Sequence, residues 1–242
     1  MRCYVSAGER LSPQIGLEWE KLAGLPIIDA MSCSELVNKI FTNTLSERRA
    51  GSSGRPVLGV EVRLIDDDGA EITQPGRSGL LEVRAPFLCA GYRLAEAPPH
   101  APAHRPPERF REEWFATGNE YVRDEDGFYH HCGRSDDMLK VAGLWVSPSE
   151  IEDALAGIPT IAECAAVSSE SAAGLSEIVL YIVAASSADG ETAVTAAREQ
   201  LACKLPTFKL PRQYALAAEL PRTATGKIQR HKLRAELKHQ RG

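Results

Sequence analysis

A short polar segment in the first part of the chain, Ser32–Glu35, combines residue types that suit phosphate and metal chemistry. It ends the small, polar segment Ala30–Glu35, which follows a predicted brief buried strand, Pro26–Asp29, and a polar loop after a buried strand is a common position for phosphate or metal ligands. A hydroxyl beside a carboxylate can hold a hard cation that is shared with phosphate. The same four residues are also compatible with a plain helix N-cap, so the segment by itself leaves both interpretations open.

A second candidate is Lys227, which ends the tripeptide Thr225–Lys227. The glycine lets this turn present a compact ammonium group to an incoming anion. The attack of one anion on another requires such a charge, because negative charge builds up at the reacting centre. A tripeptide of this composition is also typical of an ordinary exposed turn, and on the tripeptide alone that alternative stays open.

Between these two candidates lies a polar joint, Gly133–Asp137, which has no hydrophobic pattern of its own. Two short strand patterns joined by the turn Asp124–Gly127 precede it, and the apolar segment Met138–Val146 follows it. Ser147–Glu150 then supplies an N-cap serine, a proline at the first helical position and a glutamate for a capping box, which predicts a helix start. A polar joint between two independently patterned halves indicates a hinge.

The residues before the joint show two different patterns. The first 54 residues predict a strand, a helix and a brief buried strand, whereas the region from Arg55 onward alternates as a β-sheet does and turns at Asp66–Gly69. Its loosest part, Arg93–Arg109, contains five prolines and two histidines. We expect an extended surface loop there without a metal site, because proline prevents the helix that would bring His100 and His104 together.

The residues after the joint predict a small α+β unit. Strand patterns cover Ala162–Val167, Ile178–Ala185 and Gln213–Leu220, and a helix is predicted over Thr192–Lys204. The tail Lys227–Arg241 is predicted to be a basic amphipathic helix whose charges form a solvated face.

Length and composition exclude several classes of protein. A chain of 242 residues can hold one large or two small domains. The net charge of -5 argues against nucleic acid as the main partner, and no apolar run approaches the roughly 18 residues that a membrane span needs. The six cysteines are scattered without metal-ligand spacing, as is typical of thiols in a reducing compartment. We therefore expect a cytoplasmic protein with neither a nucleic-acid nor a membrane partner.

Three motifs in this order carry a family resemblance, namely Trp114–Asn119, Gly133–Gly143 and Pro221–Lys227. Together they resemble the adenylate-forming superfamily, which contains acyl- and aryl-CoA ligases, peptide-synthetase adenylation domains and luciferase. The stretch Asp136–Glu152 is most similar to benzoate–CoA ligase-type enzymes.

The resemblance implies an α+β fold with three parts. Residues 1–54 would be the last part of a large α/β N-terminal domain, residues 55–135 its β-rich subdomain, and residues 136–242 a small mobile α+β C-terminal domain after a hinge at Asp136.

The resemblance also assigns roles to the nucleotide-binding residues. Ser34 would donate to the phosphates, Glu35 would hold Mg²⁺, and Asn119 would contact the ribose. Asn119 stands where the family has aspartate, so one charge-assisted hydrogen bond is lost, on the order of 1 kcal/mol or more. Ser32 replaces the usual glycine, and Arg134 could alternatively form a surface ion pair with a neighbouring aspartate. The full expected nucleotide set is Ala7, Gly8, Glu9, Asp29, Ser34, Glu35, Asn119 and Arg134.

The same resemblance implies two catalytic lysines. Lys227 would bridge the carboxylate and the α-phosphate during adenylation, and Lys140 would act in thiol transfer. The loop Gly143–Trp145, with Leu144 at its centre, would line the thiol channel. Trp145 could pack on the thiol arm or belong to a domain-interface core, and both interpretations stay open.

The expected function is that of the C-terminal half of an AMP-forming acyl- or aryl-CoA ligase. A carboxylic acid, with aromatic acids favoured, would react with ATP and then with the thiol of CoA, so ATP or AMP, Mg²⁺ and CoA are the expected cofactors. The family's lysine-containing phosphate loop is not found in the sequence, and we therefore expect either a natural half that needs an N-terminal-half partner chain or a truncated gene product.

Two alternatives remain. A degenerate half could act as a non-catalytic binding or regulatory subunit, as Ser32 and Asn119 would favour. The chain could also transfer its acyl group to a carrier-protein thiol or an amine.

Overall fold

The chain folds into two units, Met1–Ser135 and Asp136–Gly242, and each unit has its own hydrophobic core. The computed structural model describes residues 1–96, 100–141, 144–170, 176–224 and 226–241. Helices and strands occur together in both units, and the predicted α+β class is confirmed. Within the described residues, no helix has the length and apolar character that a membrane crossing needs.

The first unit begins with a four-stranded sheet in the order β1-β2-β3-β4. Strand β1 runs parallel to β2, and the other two pairs are antiparallel. Helix α1 connects the parallel pair; it begins with proline at its first turn and ends at Gly24, which adopts the left-handed conformation that favours glycine. The elements are β1 (Tyr4–Ala7), α1 (Pro13–Ala23), β2 (Ile27–Cys33), β3 (Asn38–Thr42) and β4 (Arg55–Pro56).

A five-stranded antiparallel sheet completes the first unit. Its long central strand β8 pairs with three neighbours, and the order is β5-β6-β8-β7 with β9 also on β8. The predicted turn at Asp66 is present, since its carboxylate accepts hydrogen bonds from the amides of Asp68 and Ala70. The strands are β5 (Glu61–Ile65), β6 (Ser78–Arg84), β7 (Phe110–Arg111), β8 (Trp114–Arg123) and β9 (Tyr129–Arg134).

An aromatic cluster joins the two sheets of the first unit. Phe41 of β3 stacks on Tyr129 of β9 with 4.5 Å between ring centroids, and lies 5.1 Å from Tyr121 of β8. The Tyr121 hydroxyl shares a 3.1 Å hydrogen bond with Ser53. All three rings are buried, so this contact fixes the nucleotide-binding candidate in one sheet relative to the strands of the other.

The second unit is a three-stranded sheet with helices on both faces. Strand β13 lies between β12 and β14, antiparallel to the first and parallel to the second. Successive side chains of a strand point to opposite faces. Ile178 and Leu180 therefore pack with Ile151 of α2, while Val179 packs with Leu233 of α4. The elements are β10 (Leu139–Val141), β11 (Leu144–Val146), α2 (Pro148–Leu155), β12 (Ile161–Glu170), β13 (Ser176–Ala184), α3 (Gly190–Lys204), β14 (Gln213–Leu216) and α4 (Arg230–Arg241).

Four sequence-based expectations about elements are wrong. The strand predicted over Pro26–Asp29 extends to Cys33, because pairing with β3 continues through the small polar residues. Ser34 starts a turn to Val37 that leads into β3, so the helix N-cap alternative does not apply. In the second unit, the final strand ends at Leu216 and the last helix starts at Arg230.

We predict that one partly buried ion pair holds helix α4 against helix α2 of its unit. Arg230 donates to both carboxylate oxygens of Glu152 at 2.8 and 2.9 Å, and the Ala166 amide donates to the same carboxylate at 3.0 Å. Arg230→Met leaves this carboxylate unpaired, which typically costs about 3 kcal/mol or more. Urea unfolding of the variant should therefore show a clear loss in the free energy of unfolding.

Arg222→Met is the matched control for this prediction. Arg222 also pairs with a glutamate, Glu163, at 2.9 Å, but both side chains are about twice as exposed as those of the Arg230 pair. Exposed pairs contribute about 1 kcal/mol or less. Equal losses in the two variants would contradict a special role for the Arg230 pair.

Candidate active site

The carboxyl end of β1 lies beside the middle of β2, and this pairing brings two of the predicted nucleotide segments together. In the parallel register Ser6 lies beside Asp29, and Ala7 lies beside Ala30. The chain turns after Ala7 at Gly8, whose φ of +95° lies in the region that favours glycine. Ala7, Gly8 and Glu9 are exposed at the end of β1, where a ligand can reach them.

Asp29 is buried beside the end of β1, with 8% of its surface exposed. Its Oδ1 accepts a 3.0 Å hydrogen bond from the Ala30 amide, and its carbonyl accepts bonds from the amide and side chain of Asn43. Burial raises the pKa of the Asp29 carboxyl to about 6, although hydrogen bonds and the positive charge of Arg10 oppose the shift. Asp29, which was predicted to contact the nucleotide, is therefore buried and hydrogen-bonded within the protein.

Glu35 lies in the turn after β2 and is anchored by residues that sequence reasoning missed. The Tyr92 hydroxyl donates a 2.6 Å hydrogen bond to Glu35 Oε1, and Arg109 Nη2 lies 4.0 Å from the same oxygen. The Cys89 amide donates to the Glu35 carbonyl at 2.7 Å. Burial opposes ionisation, but the Tyr92 hydrogen bond and the charge of Arg109 hold the pKa of Glu35 below its usual range. The carboxylate is therefore ionised at neutral pH.

Gly118 of β8 leaves space for two guanidinium groups. Its φ is +72°, and a Cβ atom at this position would lie 3.2 Å from Arg109 Nη1 and 3.4 Å from Arg134 Nη2. Arg109 Nη2 also donates to the Thr117 carbonyl at 3.3 Å. The absence of a side chain at Gly118 thus lets two cations approach the backbone from which the predicted ribose contact, Asn119, extends.

Asn119 pairs with Arg134 across β8 and β9. Its side-chain oxygen lies 3.2 Å from His131 Nε2, and its amide nitrogen donates to the Thr117 carbonyl at 3.3 Å. Both ends of the amide are therefore engaged within the protein. A ribose hydroxyl would have to share or displace one of these contacts.

The predicted hinge and thiol-channel residues belong to the second unit. Asp136 is its first residue and is exposed. Lys140 faces Trp145 across the β10–β11 hairpin, with its Nζ 4.7 Å from the ring centroid. Leu144 and Trp145 are both exposed within their unit, and Gly143 lies outside the described residues.

Lys227 is presented on a tight turn. The Thr223 amide donates to the Lys227 carbonyl at 2.8 Å, and the Lys227 amide donates to Thr223 Oγ1 at 3.1 Å. Gly226 adopts a φ of +93°, while Thr225 lies outside the described residues. The turn leaves the Lys227 side chain exposed, as an ammonium group that must meet a ligand requires.

The carboxylate of Glu35 fits a metal ion that is shared with phosphate. Among the described residues, no cluster of three or more His, Cys, Asp or Glu side chains could form a metal cage. Mg²⁺ is commonly bound through one or two carboxylates together with phosphate oxygens and water. The single ionised carboxylate of Glu35 suits that arrangement.

Two protein families match this chain. The AMP-binding enzyme family matches residues 1–93, and the AMP-binding enzyme C-terminal domain matches residues 150–227. The chain therefore belongs to the adenylate-forming superfamily, which confirms the resemblance carried by its motifs.

Several of the relatives are aryl-CoA ligases. The 3-hydroxybenzoate–CoA ligase of Aromatoleum sp. (strain CIB) is 38% identical over 240 residues, which cover 98% of this chain and 44% of the relative. The benzoate–CoA ligase of Thauera aromatica is 36% identical, covering 97% and 44%. The crystal structure of the anthranilate CoA ligase AuaEII in complex with anthranoyl-AMP superposes with a TM-score of 0.87 at 36% identity, covering 99% of this chain and 44% of that chain. The chain thus spans less than half the length of these proteins.

We predict that replacing Asp29 stabilises the protein at neutral pH. The folded state raises the pKa of Asp29 to about 6, whereas an unfolded aspartate titrates near about 3.9. Between these two pKa values, Asp29 holds its proton in the folded state but has lost it in the unfolded state. The free energy of unfolding therefore falls as pH rises through this window, and an asparagine, which does not ionise, avoids the loss.

Thermal unfolding at about pH 4.5 and about pH 7.5 tests this prediction. The midpoint of Asp29→Asn relative to the unsubstituted chain should be higher at the upper pH. Asp68→Asn, in an exposed hairpin turn, serves as the control. A difference that stays constant with pH, or that shrinks at the upper value, would contradict the assignment.

Proposed function

We propose that this chain is the part of an AMP-forming aryl-CoA ligase that carries the nucleotide loop, the hinge and the catalytic lysine. The observation that carries the proposal is the group formed by the ionised Glu35 and the guanidinium groups of Arg109 and Arg134 near Gly118. In the reaction, a carboxylate oxygen attacks the α-phosphorus of ATP and pyrophosphate leaves. A thiolate sulfur of CoA then attacks the acyl carbonyl, and AMP leaves with the electron pair.

The first step joins two anions and depends on positive charge. Lys227 supplies an exposed ammonium group, which would stabilise the charge that develops between the carboxylate and the α-phosphate. Arg134 would contact the nucleotide, and Ser34 and Glu35 would face its phosphates. Glu35 would hold Mg²⁺, which when bound neutralises phosphate charge. Ala7, Gly8 and Glu9 would contact the adenine from the end of β1.

In the second step, the β10–β11 hairpin would contact the thiol substrate. Lys140 and Trp145 form a cation–π pair on its surface, and Leu144 is exposed beside them. These residues, with Gly143, would line the channel for the thiol arm of CoA. Rotation about Asp136 would exchange Lys227 for this hairpin between the two steps. A carrier-protein thiol or an amine could replace CoA as the acceptor.

An aromatic acid is the proposed substrate. The relatives are ligases of 3-hydroxybenzoate and benzoate, and AuaEII was crystallised with anthranoyl-AMP. That ligand is itself an aryl-adenylate, the type of intermediate that the proposed mechanism forms.

We also propose that activity requires the rest of the ligase. The chain spans 44% of the relatives' length, and the first unit exposes large apolar side chains around β1 and α1, including Val5, Ile15 and Leu22. Exposed apolar patches of this kind mark interaction surfaces. We assign this face to the remaining part of the ligase, on the same polypeptide or on a separate one.

A second candidate function is that of a non-catalytic nucleotide-binding subunit. The engaged amide of Asn119 favours it, because both ends of the side chain already have protein partners. The exposed Lys227 favours the catalytic function.

We predict that ATP–pyrophosphate exchange depends on Lys227. A panel of benzoate-type and aliphatic acids would be tested with the chain alone and with the remainder of a benzoate–CoA ligase supplied as a separate polypeptide. Lys227→Ala should reduce exchange by about a hundredfold or more, because a preorganised charge at the reacting centre is lost. Lys232→Ala, on the exposed side of α4, should leave exchange unchanged.

Exchange that needs the added polypeptide and disappears in Lys227→Ala would match the proposal in full. Exchange by the chain alone would contradict the requirement for the rest of the ligase. No exchange under either condition, together with retained AMP binding, would favour the non-catalytic candidate.

We predict that Asn119→Asp strengthens nucleotide binding. A carboxylate offers two acceptor oxygens to ribose hydroxyls and a charge-assisted hydrogen bond worth about 1 kcal/mol more, or about fivefold in affinity. Titration calorimetry with AMP measures the change, and Gln213→Glu, the same amide-to-acid replacement at an exposed residue of β14, is the control. Equal or weaker AMP binding by Asn119→Asp would show that position 119 does not contact the ribose.

A further inference from the structure

Arg109 is the last residue of the segment that was predicted to be an extended surface loop. Its guanidinium nevertheless lies at the centre of the candidate site. It is 4.0 Å from Glu35, donates to the Thr117 carbonyl at 3.3 Å and lies 5.0 Å from the centroid of the Phe115 ring. Stacking on the ring and the carbonyl contact fix the plane of the guanidinium. Its position is therefore determined by the core and by the strand that carries Asn119.

Arg105, four residues earlier, makes the same kinds of contact outside the site. Its guanidinium lies 4.5 Å from the centroid of Phe110, and its Nη2 donates to the Glu112 carbonyl at 3.2 Å. Ring stacking and a carbonyl bond are thus sufficient to hold an arginine on this sheet. Arg109 differs in facing Glu35 and Gly118, and these contacts are not needed for packing.

The donors of Arg109 are only partly used by the protein. Its Nε is buried without a hydrogen-bond partner among the described residues. The separation from Glu35 is longer than a hydrogen bond, so that contact is electrostatic. Glu35 Oε1 instead accepts its short hydrogen bond from Tyr92. The guanidinium therefore keeps donors available next to an ionised carboxylate.

Arg109 and Arg134 converge on one point. Both have a terminal nitrogen within 3.4 Å of the position where a side chain would begin at Gly118. Two guanidinium groups this close repel each other, and an anion near both relieves the repulsion. Phosphate suits this geometry, because planar guanidinium groups bind its oxygens through paired, charge-assisted hydrogen bonds.

We propose that Arg109 is a nucleotide-contacting residue, which binds a phosphate group of the nucleotide together with Arg134 while the Phe115 ring and the Thr117 carbonyl set its orientation. The inference rests on the proposed nucleotide site and adds to it a residue from the proline-rich segment. Arg109 and Arg134 would share the phosphate charge across Gly118.

Paired titrations with AMP and with adenosine test this inference, because the two ligands differ only in the phosphate. Arg109→Gln should weaken AMP binding by about tenfold or more, as expected for the loss of a charge-assisted hydrogen bond, and leave adenosine binding unchanged. Arg109→Lys keeps the positive charge but loses the paired N–H donors of the guanidinium. Its affinity for AMP should lie between those of Arg109→Gln and the unsubstituted chain. Arg105→Gln is the matched control and should change neither affinity.

A second readout is the phosphorus NMR shift of AMP on binding, which Arg109→Gln should reduce. Equal weakening of AMP and adenosine would show that Arg109 only supports the fold, and unchanged AMP affinity would also overturn the inference. If the unsubstituted chain bound neither ligand, the proposed nucleotide site would fail and this inference with it. If Arg109→Gln bound both ligands with the affinities of the unsubstituted chain, this inference would be overturned but the proposed nucleotide site would stand.

Discussion

The stacking of Phe41 between the two sheets of the first unit is the contact on which the candidate site depends. Glu35 lies in the turn that leads into the strand of Phe41, whereas Gly118 and Asn119 lie on the strand of Tyr121. These groups can meet only if the two sheets keep a fixed distance. Large buried rings provide that constraint, because close-packed interiors tolerate little displacement.

Within this frame, the chemistry of the site follows from a balance of burial and charge. Burial acts to raise the pKa of the Glu35 carboxyl, but the Tyr92 hydroxyl and the Arg109 guanidinium favour the charged form, and the pKa is lowered. At Asp29 burial has the larger effect, and the pKa rises. The pKa of Asp29, on β2, is thus raised, whereas the pKa of Glu35, in the turn after β2, is lowered. Of these two carboxyl groups, only Glu35 is suited to bind a cation near phosphate.

The sequence predicted the local features of the site better than its long-range contacts. Motif spelling predicts Glu35, Asn119 and Arg134 as site residues, and capping residues predicted the start of α2. Tyr92 and Arg109 were missed, because they flank a proline-rich segment without periodicity and meet Glu35 only through tertiary packing. The extension of β2 to Cys33 was missed for a related reason, since its small polar residues gain strand conformation from pairing with β3.

The joint between the two units begins at the site itself. Ser135, the last residue of the first unit, donates from its amide and its hydroxyl to the Gly118 carbonyl at 3.0 and 3.2 Å. The glycine that leaves space for two guanidinium groups therefore also anchors the end of its unit. Lys227 and Lys140 lie beyond this point, in a unit with its own core. Among the described residues each hydrophobic cluster stays within one unit, so the rotation proposed at Asp136 would leave these clusters intact.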